Sequence, residues 1–210
     1  MLHLLLLPLL HHHLTHHVVR AAAPPSTVKI GAQFPIHKPA RFSFVEDGGG
    51  RRRLAAFLMA IKHLNSKNDD HWDNLLPSTK IEFAVYDSKR DNGQAVVNAF
   101  NLWKDFQAKV AIGPASSGPS KQSHLVLKLP KIDVPQISYS ATSAELSESG
   151  SLPMFMRTPP SDSFQAEIMV DIIRNQGWKN VCVLAGTDSY SVKGSESTIY
   201  EINKETEGFQ

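Results

Sequence analysis

An α/β domain, a parallel sheet with helices on both faces, is the architecture this sequence predicts, and three observations predict it. Short apolar, β-branched runs alternate with amphipathic helical stretches along the chain. The composition, 41% hydrophobic and 20% charged over 210 residues, is that of a globular chain of one domain, or one domain and part of a second. A single cysteine, Cys182, closes no disulfide within the chain and builds no multi-thiolate zinc site, so packing has to supply the stability. The formal net charge of +2, from 22 basic and 20 acidic side chains, provides no clustered basic footprint for nucleic acid.

The elements follow in order. Val28–Pro35 reads as a buried strand that stops at a proline. A long loop is expected from Ile36 to Gly50, with Gly48-Gly49-Gly50 letting the backbone turn before Arg51 opens a helix. In that helix Leu54, Phe57, Leu58, Ile61 and Leu64 recur at spacings of three and four, and Asn65-Ser66 end it. Lys80–Tyr86 alternates as a strand does, Asp87–Gly93 is turn material, and Gln94–Gln107 is a second helix through Val97, Phe100 and Phe106. Lys109–Gly113 is a third strand, Ser117–Leu129 a helix, Val134–Tyr139 a strand, and Met154–Arg157 a short edge segment after a Ser/Thr-rich loop. Phe164–Asn175 reads as a long helix, Asn180–Ala185 as a strand and Ser195–Glu207 as a helix. Those last two would open a second sheet. The expected division is therefore residues 1–23, 24–160 as a complete unit, and 161–210 as the start of another, truncated one.

Residues 1–23 resemble a secretory signal: an apolar run from Leu2 to Leu10, then histidines, then Ala21-Ala22-Ala23 before Pro24-Pro25. Cleavage near Ala23 would send the mature chain into the secretory pathway. The run is shorter than the ~20 apolar residues of a membrane span. A metal role for His11, His12, His13, His16 and His17 gives way to biased leader composition, because a removed leader holds no functional metal. No Asn-x-Ser/Thr sequon occurs.

Open α/β sheets bind ligands beyond the carboxyl ends of their strands, so the chemistry is sought there. Ser117 opens a helix, where a hydroxyl and unpaired amides can hold a carboxylate. Ser140 and Thr142 add hydroxyls from a second loop, Asp162 offers an acceptor for positive charge, and Tyr190 a ring face for a cation. Each alone is more simply a helix cap or turn former. Together they describe an α-amino acid, with carboxylate and ammonium both met.

The stretches Arg53-Leu54-Ala55-Ala56-Phe57, Ile112–Ser117, Pro135–Ser147 and Arg157–Asp162, with Gln165-Ala166 and Trp178, resemble the extracellular ligand-binding domain of class C G-protein-coupled receptors of the metabotropic glutamate type. The similarity runs from about Val28 to the end of the chain. Its core Tyr139-Ser140-Ala141-Thr142-Ser143 and the Pro160-Ser161-Asp162 stretch are specific to those receptors. The rest is general to the periplasmic-binding-protein-like type I family, whose two lobes close on a ligand. The resemblance implies lobe one complete to residue 160 and lobe two truncated. Ser117, Thr142 and Ser140 would hold the α-groups from lobe one, Asp162 and Tyr190 would meet the ammonium from the lobe-two side, and Arg53 would engage a distal carboxylate. It also implies an acidic α-amino acid as ligand, no cofactor and no metal, a homodimer through lobe one, and a place on the extracellular side of the plasma membrane. Two departures stand out: the family's tyrosine four residues before Arg53 is Gly49 here, and the cysteine expected after Ser88 is Lys89.

Other classes fit less well. Gly113–Gly118 is not Gly-x-Ser-x-Gly, and none of the four histidines beyond the leader is expected at a crevice loop; His124 reads as a packing or surface residue within its helix. Gly48-Gly49-Gly50 lacks the nucleotide-binding spacings. Arg51-Arg52-Arg53 opposes the helix dipole at its start, which fits an anionic partner as well as a solvated surface. A soluble amino-acid-binding protein, the ectodomain of a receptor guanylate cyclase and a ligand-free structural fragment are the alternatives.

Overall fold

The computed structural model describes residues 25–147, 150 and 152–207; the leader and its cleavage point lie outside them. Five parallel strands form one sheet: β1 (Thr27–Phe34), β4 (Lys80–Asp87), β5 (Val110–Ile112), β6 (Gln136–Ser138) and β7 (Phe155–Arg157), in the order β4-β1-β5-β6-β7. The inner strand β1 pairs with β4 on one side, Ile30 opposite Phe83, and with β5 on the other, Ile30 opposite Val110. The order therefore reverses at β1. The topological switch point lies between β1 and β5, where ligands of such sheets sit.

Helices cover both faces, as the alternation of side chains along β1 requires. Phe34 points to one face, where its ring lies 5.5 Å from Phe57 of α1 (Gly48–Ser66), and Phe57 in turn meets Phe83 of β4 edge-on. Gly31 and Gln33 point to the other face: Gly31 lies against Leu102 of α2 (Asn92–Lys104), and Gln33 Nε2 donates to Ser123 Oγ of α3 (Ser117–Leu127). The core there is Ala99, Leu102, Ala108, Ala111, Leu127 and Val134. His124 is fully buried beside it, edge-on to Phe155, with Nε2 2.6 Å from the Pro153 carbonyl. It is a packing residue, and burial pushes its imidazole below the usual range, toward the neutral form.

Two expectations need correction. The segment from Ile36 to Gly50 is not one loop: it holds an antiparallel hairpin, β2 (His37–Pro39) with β3 (Phe44–Glu46), and α1 begins at Gly48 rather than Arg51. Asp47 explains the early start, since its carboxylate accepts from the Gly49 and Gly50 amides and caps the helix through the glycines. Asn180–Ala185 forms no strand, and Leu184 is 92% exposed. An apolar run becomes a strand only when a neighbour takes its hydrogen bonds, and none of the described strands lies beside it. The helices on either side, α4 (Asp162–Asn175) and α5 (Ser189–Glu207), pack on one another and add no strand to the sheet. Phe164, Ile168 and Ile172, one stripe along α4, stay exposed. Among the described residues no helix is long and apolar enough to cross a membrane.

Candidate functional site

The site is built at the carboxyl edge of the sheet by the turn after β5. Gly113 takes φ +86°, and a Cβ there would lie 2.2 Å from the Gln33 carbonyl, so only glycine lets β5 run this close to β1 before the chain turns into α3. The Gly113–Pro114 bond is cis. Ser138 Oγ donates to the Pro114 carbonyl at 2.7 Å and accepts from the Ala141 amide, which ties the turn after β5 to the loop after β6. Arg157 closes that loop from the edge strand, donating to the Ser143 carbonyl at 2.9 Å.

α3 starts differently from its neighbours. Side chains of Asp47, Asp91 and Ser161 cap α1, α2 and α4, whereas Ser116, at the cap position of α3, makes no side-chain cap bond. The first-turn amides of α3 therefore remain available to an anion at the positive end of the helix dipole. Ser117, nearly buried, accepts from the Ser143 amide at 3.2 Å, which leaves its hydroxyl proton free to point at a ligand.

Beyond this helix start lies a cleft of about 870 Å³. Ser117, Ser140, Thr142 and Tyr190, four of the six residues named from sequence, line it together. The fifth, Asp162, is half-buried in the first turn of α4; its amide donates to the Thr142 carbonyl at 2.9 Å, but its side chain lines an adjoining, more apolar cavity of about 540 Å³ between α4, α5 and residues 178–186. Tyr190 borders both cavities. The sixth, Arg53, lines neither. Its guanidinium lies 6.0 Å from the ring of Tyr139, which stacks on Phe34 and donates to the Gln33 carbonyl. A side chain at Gly49 would reach within 3.5 Å of Arg53, so position 49 does face the arginine.

Two cationic residues in the cleft escape a reading by loops alone. Arg90, in the turn after β4, lines the cleft and donates through Nε to Asp47 at 2.5 Å. Burial pushes the Asp47 carboxyl up, yet Arg90 and the amides of Gly50 and Gly49 outweigh it and hold it below the usual carboxylate range. Lys121 sits one turn beyond Ser117 on the same face of α3, a position the helical period gives directly. Its ammonium lies 2.6 Å from Glu145, which is nearly buried in the 3-10 turn Ala144–Ser147. The other oxygen of Glu145 accepts from Ser189, the first residue of α5, at 3.2 Å. One carboxylate thus joins α3 to α5 across the cleft's end.

A histidine also stands beside the end of β4, although it lines neither the cleft nor the adjoining cavity. His37 Nδ1 lies 2.7 Å from Asp87, whose carboxylate also takes the Ile36, His37 and Lys89 amides. The hairpin β2–β3, invisible to periodicity, carries His37 there.

The family model described as Receptor family ligand binding region matches residues 52–206. Glutamate receptor 3.1 of Oryza sativa subsp. japonica is 34% identical over 181 residues, covering 86% of this chain and 17% of the relative. Metabotropic glutamate receptor 8 of Homo sapiens is 30% identical over 205 residues, 85% of this chain and 22% of its own length. Metabotropic glutamate receptor 4 of Rattus norvegicus is 28% identical over 198 residues, 82% and 21% respectively. The chain thus spans about a fifth of the length of these curated relatives. With a parallel sheet wound on both faces and a polar cleft at its switch point, the chain belongs to the receptor family ligand-binding region, the family it shares with plant and metabotropic glutamate receptors.

Proposed function

We propose that this chain is the amino-acid-binding region of an extracellular receptor, that its ligand is glutamate-like, and that it senses the ligand without turning it over. The single observation that carries the reading is the convergence of Ser117, Ser140, Thr142 and Tyr190 on one cleft at the uncapped start of α3. The α-carboxylate sits on the α3 amides with the Ser117 and Thr142 hydroxyls. Tyr190 and Asp162 meet the ammonium when α4 and α5 move toward lobe one, since Tyr190 already borders the cavity that Asp162 lines. Arg53 takes the distal carboxylate from the α1 side, with Arg90 and Lys121 adding positive potential in the cleft. Export through the leader, pairing of two copies through lobe one, and signalling through G proteins by cleft closure complete the reading; the relatives' names as glutamate receptors support its ligand class.

Calorimetric titration of the secreted receptor ectodomain with glutamate, glutarate and glycine tests it. Glutarate keeps both carboxylates and lacks the ammonium; losing a charge-assisted partner pair costs ~2–5 kcal/mol, so glutarate binds at least ~30-fold more weakly. Equal binding of glutamate and glutarate would remove Asp162 and Tyr190 from the site. Glycine binding as tightly as glutamate would remove Arg53.

A further inference from the structure

A side-chain cluster away from the cleft carries chemistry that amino-acid binding leaves unused. After α1 the chain runs to β4 through a polar segment in which Lys67, Asp70, Trp72 and Leu76 all take positive φ. This segment folds back on the last turn of the helix and sets Asp69 between two imidazoles. His63 Nδ1 lies 2.8 Å from one Asp69 oxygen and His71 Nδ1 lies 3.8 Å from the other, with the two ring centroids 4.4 Å apart. Suitable donor atoms of the three residues all fall within 4.8 Å of one another.

We propose that His63, Asp69 and His71 form a binding site for a late first-row divalent cation, Zn²⁺ above all. The donor set decides the metal. Two imidazoles and one carboxylate suit Zn²⁺ and its transition-metal neighbours, whereas Ca²⁺ and Mg²⁺ take oxygen ligands throughout. His63 and Asp69 are half-buried and fixed on or against the helix, while the ring of His71 is exposed and its Nδ1 lies 2.7 Å from the Asp69 backbone carbonyl, a single contact that metal binding would exchange. Metal–donor bonds of ~2.0–2.2 Å draw the three donors together, and His71 supplies most of that movement. Three protein ligands leave one tetrahedral position for water. Bound metal would fasten the 67–79 segment to the end of α1, independently of any ligand in the cleft.

Zinc titration of the purified full chain against a competing indicator, in parallel with His71→Ala and His63→Ala, tests the site. Any zinc taken up by the histidines near the amino terminus is common to all three proteins, so the difference reports this cluster. His71 is exposed, so its removal leaves the far-UV circular dichroism unchanged. The wild type should bind one equivalent that either variant holds at least ~10-fold more weakly, since even outer-shell substitutions cost that much. Trp72 gives a second, local readout: its ring lies 6.4 Å from that of His63, edge-on. Cu²⁺ should therefore quench a saturable part of the fluorescence that Trp72→Phe abolishes and His71→Ala shifts to higher metal concentration. Equal zinc stoichiometry and affinity in wild type and His71→Ala would overturn the proposal, as would a Cu²⁺ quench that neither substitution alters.

Discussion

Replacing Gly50 by alanine sets two effects of known size against each other. Gly50 lies inside α1, where alanine is favoured over glycine by about 1 kcal/mol. Yet a Cβ at this position would sit 1.7 Å from the Pro35 carbonyl oxygen and 2.6 Å from its carbon. Those atoms are backbone of the turn that leaves β1, so no rotamer change relieves the contact. Carbon contacts become repulsive well inside ~3.5 Å, and α1 must withdraw by ~1.5 Å. Overpacking of this kind costs ~3 kcal/mol or more. The clash wins by ~2 kcal/mol, about a 30-fold shift toward the unfolded state. In urea, with a slope of ~2 kcal/mol/M, the midpoint should fall by ~1 M. Gly48→Ala in the same helix is the control: its Cβ would meet only an Arg52 nitrogen at 3.7 Å, so the propensity gain remains and the midpoint holds or rises. A Gly50→Ala protein as stable as Gly48→Ala would refute the reasoning and, with it, the seating of α1 against the β1 turn.

Ser117→Ala and Thr142→Ala should each weaken glutamate binding about 10-fold, the value of a hydrogen bond to a charged group; Thr142→Ala should leave thermal stability little changed, whereas Ser117→Ala also strips the buried Ser143 amide of its acceptor and costs ~1–3 kcal/mol, and a titration showing neither loss of binding counts against the cleft. Lys121→Met should destabilise by ~1–3 kcal/mol, below the full cost of a broken buried pair because the lysine side chain is 38% exposed. Hydrogen exchange should then speed up at the start of α5, where Ser189 shares Glu145. The pH dependence follows from Asp47 and Asp87. In Asp87, burial raises the carboxyl but His37 and the backbone amides outweigh it. Both folded values lie below the ordinary 3.8, so these groups contribute stability that is complete above that pH and is lost as pH falls through the folded values. Urea midpoints measured from pH 6 down to pH 3 should drop less steeply in Asp47→Asn than in wild type.

What the sequence disclosed depended on how local each cause is. Strands β1, β4, β5 and β6 were legible because their apolar runs are intrinsic, and α1 because Leu54, Phe57 and Ile61 repeat with the helical period. Ser117, Ser140 and Thr142 were legible because the carboxyl ends of strands can be marked once strands are known, whereas Tyr190 reaches the cleft although the strand expected before it, Asn180–Ala185, does not form. The hairpin β2–β3 was not, since three-residue strands such as His37–Pro39 and Phe44–Glu46 carry no period. Asn180–Ala185 misled for the opposite reason: its residues favour a strand, but pairing decides, and pairing is not local. Arg90 and Lys121 enter the cleft through ion pairs with Asp47 and Glu145, 43 and 24 residues distant, which no short window contains. The His63, Asp69 and His71 cluster likewise needs the positive-φ residues that reverse the chain after α1.

The position of β1 has a consequence for how the chain is made. Among the described strands it comes first in the chain, yet it is an inner strand of the finished sheet, and its partners β4 and β5 begin at Lys80 and Val110. While a nascent chain shorter than about residue 112 is emerging, one edge of β1 has nothing to pair with and presents open amides and carbonyls to other chains. Local helices such as α1 and α2 can form during that interval, but the sheet they cover cannot close. Premature termination anywhere before Ile112 would therefore yield sticky products instead of smaller folded ones, and a pause in translation just beyond it would favour folding.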